Sequence, residues 1–229
     1  KMNNNDFMKT KPVLPLILSM SMPMVISMLV NSLYNIVDSF FVAKISENAM
    51  TALSLVFPVQ NLINAVMIGF GIGINAVISF YLGAADQKKA AQAASQGMLL
   101  GTFHGILLMI ICLVVIHPFL SLFTNDVDVM AESMSIIRFL VPFWFCYICV
   151  NVYPCTLRGV GDALIPMLII CVGTCILRVL WVFGAGAIHP GLYTTLTSYP
   201  LSWTITSLAF LVYYYRFSAM RKLNKLIEE

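Results

Sequence analysis

The sequence predicts an all-α membrane protein, a bundle of six transmembrane helices with both termini in the cytoplasm. Hydrophobic residues make up 60% of the 229 residues, charged residues only 10%, and the mean hydropathy is +0.90. Soluble domains do not carry apolar runs of this density. A spanning helix needs about 20 mainly apolar residues, and the chain holds six such windows between short polar breaks.

The predicted elements follow one another with short connections. Residues 1–12 form a basic leader, which we expect to stay attached because the first apolar segment is too long for a signal peptide. The predicted helices cover residues 13–42, 50–82, 88–116, 129–153, 163–183 and 192–215. They form one bundle over residues 13–217, and residues 218–229 form a basic tail.

Prolines fall inside most of the predicted helices. A bend is expected at Pro23, because proline lacks the backbone N–H that an α-helix uses. Four more prolines are expected to interrupt helices two, four, five and six: Pro58, Pro142, Pro166 and Pro200. Broken helices are common in transporters, where the released backbone groups line a cavity, but proline is also frequent in membrane helices generally.

Basic residues predict the orientation. Ten of the 13 fall in the leader, the tail and the two loops on the same side, whereas the opposite loops hold only Lys44. Those opposite loops and helix ends also carry acidic residues, namely Glu47, Asp126, Asp128 and Glu132. By the positive-inside rule both termini are therefore cytoplasmic.

Asp38 is the only carboxylate in the first predicted helix. Ser27, Asn31, Asn35 and Asp38 follow at spacings of four, four and three, so they share one stripe of that helix. An ionisable side chain in a membrane helix is costly and marks an ion or substrate path by default. The alternative is that Asp38 lies close enough to the outer interface to be simply hydrated.

The stripe has the chemistry of an ion-coupling site. A poorly hydrated carboxylate can change its charge state as a substrate binds or leaves, and Asp38 is the candidate for that role. Asn31 and Asn35 can donate hydrogen bonds to it or help coordinate sodium, so the residues do not separate proton from sodium coupling. Tyr34 offers a ring to a cationic substrate or simply packs in the bundle.

Two further helices carry polar stripes. Helix two holds Gln60, Asn61, Asn64 and Asn75, and helix six holds Thr195, Ser198, Ser202 and Thr206. These side chains either make hydrogen bonds between helices or form the wet wall of a substrate cavity. Glycines recur every four residues at Gly97, Gly101 and Gly105 and at Gly69 and Gly73, which predicts close helix packing.

Two arginines and one histidine are further polar residues within the predicted helices. Arg178 falls in the same membrane layer as Asp38, so the two are able to pair, and Arg138 is a further structural or pairing residue. His104 relays protons or is a buried neutral histidine with one hydrogen bond. No nucleophile and base pair, phosphate loop or zinc spacing occurs, so no enzyme, cofactor, resident metal or nucleic-acid partner is expected.

Several segments carry a family resemblance. PLILSMSMPMVISMLVNSLYNIVDSFFVA and TALSLVFPVQNLINAVMIGFGIGINAVISFYLGA resemble the opening of a multidrug and toxic compound extrusion transporter. LSLFTND, TLRGVGDALIPM and LSWTITSLAFLVYYYRF resemble its final helices. The resemblance implies a bacterial cytoplasmic-membrane antiporter that expels cationic amphipathic compounds while protons or sodium ions flow inward. It also implies that Asp38 is the coupling-ion site.

The length departs from that family, whose members have about twelve helices in two bundles. The chain is expected to join the first three helices of one bundle to the last three of the other, with the seam between His104 and Leu122. Its expected partners are small cationic compounds, membrane lipids and a second copy that rebuilds the two-lobed architecture. The alternatives are an internally shortened, non-transporting bundle and a flippase of lipid-linked saccharides.

Overall fold

The computed structural model describes residues 12–188 and 191–218. Within these ranges, five side chains are not described, those of Met20, Ser27, Asn31, Tyr34 and Ala187. The predicted leader and tail therefore lie almost wholly outside the described residues. The described residues form helices and short connections without a strand. In chain order the helices are α1 (Val13–Ala43), α2 (Glu47–Gly83), α3 (Gln87–Ser121), α4 (Val127–Leu140), α5 (Trp144–Gly159), α6 (Leu164–Ile170), α7 (Leu177–Ile188) and α8 (Leu192–Arg216).

These helices make six antiparallel spans. A 3₁₀ turn at Val141–Phe143 joins α4 to α5 in the fourth span, and a π-helical turn at Cys171–Ile176 joins α6 to α7 in the fifth. The first five spans are long and apolar enough to cross a membrane. The sixth, α8, has 25 residues, which is long enough at about 1.5 Å per residue, although its Ser, Thr and Tyr residues make it more polar. The predicted all-α, six-helix membrane bundle is thus confirmed, and the orientation of its termini stays a prediction.

Capping side chains explain why three helices begin earlier than predicted. Ser46, Asp86 and Asp126 accept hydrogen bonds from backbone N–H groups at the starts of α2, α3 and α4. Such caps satisfy donors that have no partner within the helix. The third helix also ends later than predicted, at Ser121 rather than 116, because Leu120 continues its buried face beyond Pro118.

Only one of the predicted proline interruptions coincides with a break in a helix. The 3₁₀ turn contains Pro142, whereas α2 and α8 continue through Pro58 and Pro200. Pro166 is the third residue of α6, where a missing N–H costs no hydrogen bond. The prediction of interruptions at Pro58, Pro166 and Pro200 was wrong. The first helix, α1, continues through Pro23, and the bend expected there stays a prediction.

The core lies between α2, α3, α4, α5 and α8. A Cβ added at Gly97 or Gly105 would come within 2.7 Å of Ile74 or 2.8 Å of Ile148, so the predicted close packing of α3 is confirmed. The same prediction for Gly69 and Gly73 was wrong. No described atom beyond the helix itself lies within 4 Å of a Cβ built at either glycine.

The first helix lies at the edge of this core. Most of its apolar side chains are exposed, and Asp38 and Val42 are its buried residues in the described part of the chain. It contacts the fifth span through the Phe41 and Phe183 rings, whose centroids are 5.1 Å apart, and through Asp38. A polar contact therefore contributes to holding α1 against the bundle.

Candidate functional site: a buried ion pair beside a polar cavity

Asp38 and Arg178 form a buried ion pair between α1 and α7. Arg178 Nη1 lies 3.3 Å from Asp38 Oδ2, and the two residues are 1% and 2% exposed. Arg178 Nη2 donates a 2.9 Å hydrogen bond to Ser202 Oγ, and the guanidinium carbon lies 4.0 Å from the centre of the Tyr199 ring. The pair thus ties α1 to α7 and α8.

The π-helical turn positions Arg178. A π-helical turn holds one residue more than an α-helical turn, so it changes the direction in which the following side chains project. Arg178 is the second residue after the turn. Gly173, inside the turn, lies against α8 so closely that an added Cβ would come 2.3 Å from Thr206 Oγ1. This close approach brings the fifth span beside Ser202 and Tyr199 of α8.

A cavity of about 450 Å³ opens between α1, α2, α5, α7 and α8. We call it the central cavity. Its polar lining consists of Asn35, Gln60, Asn61, Asn64, Asn151, Arg158 and Arg178. Its aromatic lining consists of Phe57, Tyr147, Tyr199 and Trp203. A mostly apolar and aromatic wall with a few convergent polar groups is typical of a small-molecule binding site.

The structure brings several predicted site residues together. Asn35, predicted for ion coupling, and the predicted cavity residues Gln60, Asn61 and Asn64 all line the central cavity. Asp38 lies behind the wall, bonded to Arg178. The side chains of Asn31 and Tyr34, the other two predicted residues of α1, lie outside the described part of the chain.

Three predicted cavity residues are not part of this lining. Asn75 lies where α2 meets α5, beside Gly159. Ser198 is buried and donates to the Thr195 carbonyl of its own helix. Ser202 is occupied by Arg178, which explains why a polar stripe on α8 turns towards protein rather than towards the cavity.

The remaining predicted polar residues lie apart from the cavity. Arg138 is exposed at the end of α4, in a separate depression that His117 and Asp126 also line. The His104 Nδ1 lies 2.8 Å from the Leu100 carbonyl oxygen of its own helix. Neither residue is in the lining of the central cavity.

The sequence analysis missed several residues of the cavity wall, among them Tyr147, Asn151, Arg158, Tyr199 and Trp203. The sequence did contain a signal for two of them. Asn151, Pro154, Cys155 and Arg158 recur at spacings of three, one and three, which puts them on one stripe of α5. The three aromatic residues carry no such signal, because buried rings line cores and cavities alike.

The predicted sodium site at Asp38 stays a prediction. The described residues include no group of three His, Cys, Asp or Glu side chains that could hold a metal ion. Asp38 offers oxygen ligands, which suit sodium, but Arg178 already engages one carboxylate oxygen. A cation at this carboxylate would therefore compete with the guanidinium.

Comparison with known proteins assigns the chain to a family. The MatE family model matches residues 23–183. The chain belongs to the MatE family. That match is a single stretch, and it runs across the seam predicted between His104 and Leu122. The resemblance seen in the sequence is thereby confirmed, and this MatE chain is a membrane protein of a transporter family rather than of an enzyme family.

Among curated proteins, the MatE chain is 24% identical over 192 residues to an FAD transporter of Shewanella oneidensis, covering 81% of the chain and 42% of that protein. It is 25% identical over 170 residues to the multidrug export protein MepA of Staphylococcus aureus, covering 71% of the chain and 36% of MepA. The chain thus spans less than half the length of these relatives.

Solved structures give the same relation. The outward-facing conformation of a multidrug resistance MATE family transporter superposes with a TM-score of 0.77 and 26% identity, covering 92% of the chain and 49% of the transporter. A MOP superfamily transporter from Pyrococcus furiosus, whose binding pocket is described as having reverse polarity, gives the same TM-score, identity and coverage. The MatE chain therefore matches about half of a MATE transporter.

Proposed function

We propose that the chain is a six-helix lobe of a secondary exporter that moves small amphipathic compounds across a bacterial cytoplasmic membrane in exchange for protons or sodium ions. The central cavity, with its aromatic and amide lining, supports this proposal most directly. MepA, which is named as a multidrug export protein, is a relative of the chain and is consistent with this proposal. Cationic amphipathic compounds are the substrate class that the family resemblance predicts.

Asp38 is the group that couples the ion to movement in this proposal. Binding of a proton or a sodium ion at the carboxylate breaks or weakens its ion pair with Arg178. Because the pair ties the exposed helix α1 to α7 and α8, its loss changes how firmly α1 is held beside the cavity. The coupling is then a shift between two positions of α1, with the ion favouring one of them.

A second six-helix unit completes the transporter. The MATE neighbours are about twice as long as the segment that this chain matches, and α1 has its apolar side chains exposed along most of its length. We propose a homodimer, with the second copy packed against the side of the bundle that carries α1 and the opening of the central cavity. Pairing about an axis along the membrane normal suits two units that each have an even number of spans, because both ends of each unit then lie on the same side of the membrane.

The FAD transporter of Shewanella oneidensis supports a second candidate cargo, an anionic aromatic compound such as a flavin nucleotide. The observation that favours it is the charge of the cavity wall, which includes two arginines and no carboxylate among its described lining residues. Cationic and anionic cargo predict opposite preferences in one transport assay.

The proposal is tested with the full chain reconstituted in proteoliposomes under an imposed pH or sodium gradient. Ethidium serves as the cationic probe and dansyl sulfonate as the anionic one. We expect gradient-dependent movement of at least one probe. Folded Asp38→Asn protein should lose it, because the amide keeps the shape of the carboxylate and removes its titratable charge. Asp86→Asn, at an exposed loop carboxylate, is the matched control and should transport normally.

Each alternative has its own outcome. A folded chain that moves neither probe under either gradient contradicts the exporter and favours the shortened, non-transporting bundle. Movement of a fluorescent lipid-linked saccharide analogue without movement of either small probe favours the flippase. A protein that stays monomeric in native membranes, with no crosslinks between copies, contradicts the homodimer.

A further inference from the structure

We propose that Arg158 binds the anionic group of an amphipathic substrate in the central cavity, whether that group is a phosphate, a sulfonate or a carboxylate. The inference rests on the proposed function and, within it, on the second candidate cargo, an anionic aromatic compound in the same cavity. It assigns a binding residue that the sequence analysis did not single out.

Arg158 is a cationic side chain without a counter-charge in the described part of the chain. It lies in the last turn of α5, is half-buried and lines the central cavity. Its Nε is buried and has no hydrogen-bond partner among the described residues. The carboxylate four positions later, Asp162, instead accepts a hydrogen bond from the Tyr213 hydroxyl. The Arg158 guanidinium is therefore available to a ligand that accepts hydrogen bonds.

The other charges near the cavity do not compensate Arg158. The lining includes two arginines, Arg158 and Arg178, and the described lining residues include no Asp or Glu. The one carboxylate directly behind the wall, Asp38, is bonded to Arg178. An isolated charge in a poorly hydrated site is unfavourable, and an anionic ligand relieves that cost through charge-assisted hydrogen bonds. The wall thus selects against a cation at this end.

Arg158 is well separated from the ion pair. Gly159, the neighbour of Arg158, packs on Asn75 and Ile78 of α2. Gln60 of the same helix lies beside Tyr199, whose ring contacts the Arg178 guanidinium. Fifteen residues of helix, about 22 Å, separate Asn75 from Gln60. An anionic group on Arg158 therefore leaves the Asp38–Arg178 pair intact.

The cavity also accommodates the apolar part of such a ligand. Tyr147 and Trp203 line it and pack against each other, with ring centroids 4.8 Å apart and ring planes tilted by 44°. The Nε2 of Gln60 is a second buried lining donor that lacks a hydrogen-bond partner in the described structure. Aromatic surface between two unsatisfied donors fits an elongated aromatic compound with an acidic group at one end.

The structural alternative is that Arg158 only stabilises the C-terminal end of α5. Cations near the last carbonyls of a helix interact favourably with its dipole. That role needs a positive charge near the helix end but no binding partner in the cavity. It predicts that replacing Arg158 changes stability without changing the preference of the cavity for an anion.

The experiment compares three dansyl probes of similar size on the full chain in lipid nanodiscs: the sulfonate, which is anionic, the neutral sulfonamide and the cationic cadaverine derivative. Fluorescence titration should show the sulfonate binding most tightly. Arg158→Gln should weaken sulfonate binding by about tenfold or more and leave sulfonamide binding unchanged. Arg158→Lys, which keeps the charge, should retain most of the affinity. Arg138→Gln, at an exposed arginine outside the cavity, is the matched control and should bind like the wild type.

Three results overturn the inference. They are unchanged sulfonate binding in Arg158→Gln, equal weakening of the sulfonate and the neutral sulfonamide, and tighter binding of the cadaverine derivative than of the sulfonate by the wild type. If Arg158→Gln does not fold, Arg158→Met keeps the apolar stem and replaces it in the comparison. Binding is measured without a gradient, so a chain that binds the sulfonate through Arg158 but transports nothing fails the proposed function alone.

Discussion

The two arginines of the central cavity lie at opposite ends and have different surroundings. Arg178 is 1% exposed and has a carboxylate, a serine hydroxyl and an aromatic face as partners. Arg158 is half-buried, and its guanidinium makes no ion pair and no hydrogen bond to a described residue. The buried charge of Arg178 is tolerated because the protein supplies its partners. At Arg158, the cavity leaves room for a ligand to supply them.

The difference separates a structural charge from a binding charge. Removing a partner of Arg178 leaves a buried guanidinium uncompensated, which is costly. Removing Arg158 itself breaks no hydrogen bond or ion pair within the described structure. Stability measurements should therefore distinguish the two ends, independently of transport.

The largest effect is expected for Asp38→Asn. This change should lower the free energy of unfolding by about 3 to 5 kcal/mol, because Arg178 loses its counter-charge in a buried site. The free energy is measured by titrating the purified protein with SDS in mixed micelles. Asp86→Asn is the control, since the Asp86–Lys89 pair is exposed, and should leave the midpoint unchanged. Additive effects of Asp38→Asn and Arg178→Gln in a double-mutant cycle would show that the pair contributes nothing.

A smaller loss is expected for Ser202→Ala. The hydroxyl accepts a 2.9 Å hydrogen bond from Arg178, so its removal should cost about 1.5 to 3 kcal/mol in the same titration. Ser198→Ala is the matched control on the same helix, because the Ser198 hydroxyl bonds only to a backbone carbonyl in the described structure. Equal losses for the two serines would mean that the bond to Arg178 is not the source of the effect.

The smallest effect is expected for Arg158→Gln. Loss of the favourable charge at the end of α5 costs about 0.3 to 1 kcal/mol, and removal of an uncompensated charge acts in the opposite direction. The net change should stay within about 1 kcal/mol. Thermal unfolding followed with a thiol-reactive dye suits this comparison, since the chain has six unpaired cysteines that are at least partly buried. A loss as large as that of Asp38→Asn would reveal a structural partner of Arg158.

The bundle could be predicted from the sequence because a membrane-spanning helix needs a continuous apolar segment of about 20 residues, which is visible in the sequence. The pairing of Asp38 with Arg178 could also be predicted, since the depth of a side chain in the membrane follows from its position along the helix. Helix ends were less predictable. The caps at Ser46 and Asp126 and the buried Leu120 extended helices beyond the apolar windows.

The cavity wall was harder to predict. The spacing of polar residues shows that they share one face of a helix but not whether that face contacts another helix or a cavity. Ser198 and Ser202 share a stripe with the appearance of a wet wall, yet one bonds to its own helix and the other to Arg178. Gly69 and Gly73 repeat the spacing of Gly97 and Gly101 without a helix against them. Which face is covered depends on neighbouring helices, and that information is not local in the sequence.

The π-helical turn at Cys171–Ile176 makes the ion pair depend on the backbone conformation of the fifth span. A π-helical turn holds one residue more than an α-helical turn, so the same residues wound as a continuous α-helix would rotate everything after the turn by about 100° relative to α6. Arg178 would then point away from Asp38 although no residue of the pair had changed. Loss of one residue within the turn compensates this rotation, because the shortened segment can continue as an α-helix with the arginine on its present face. A one-residue deletion in the turn should therefore leave the two charges together.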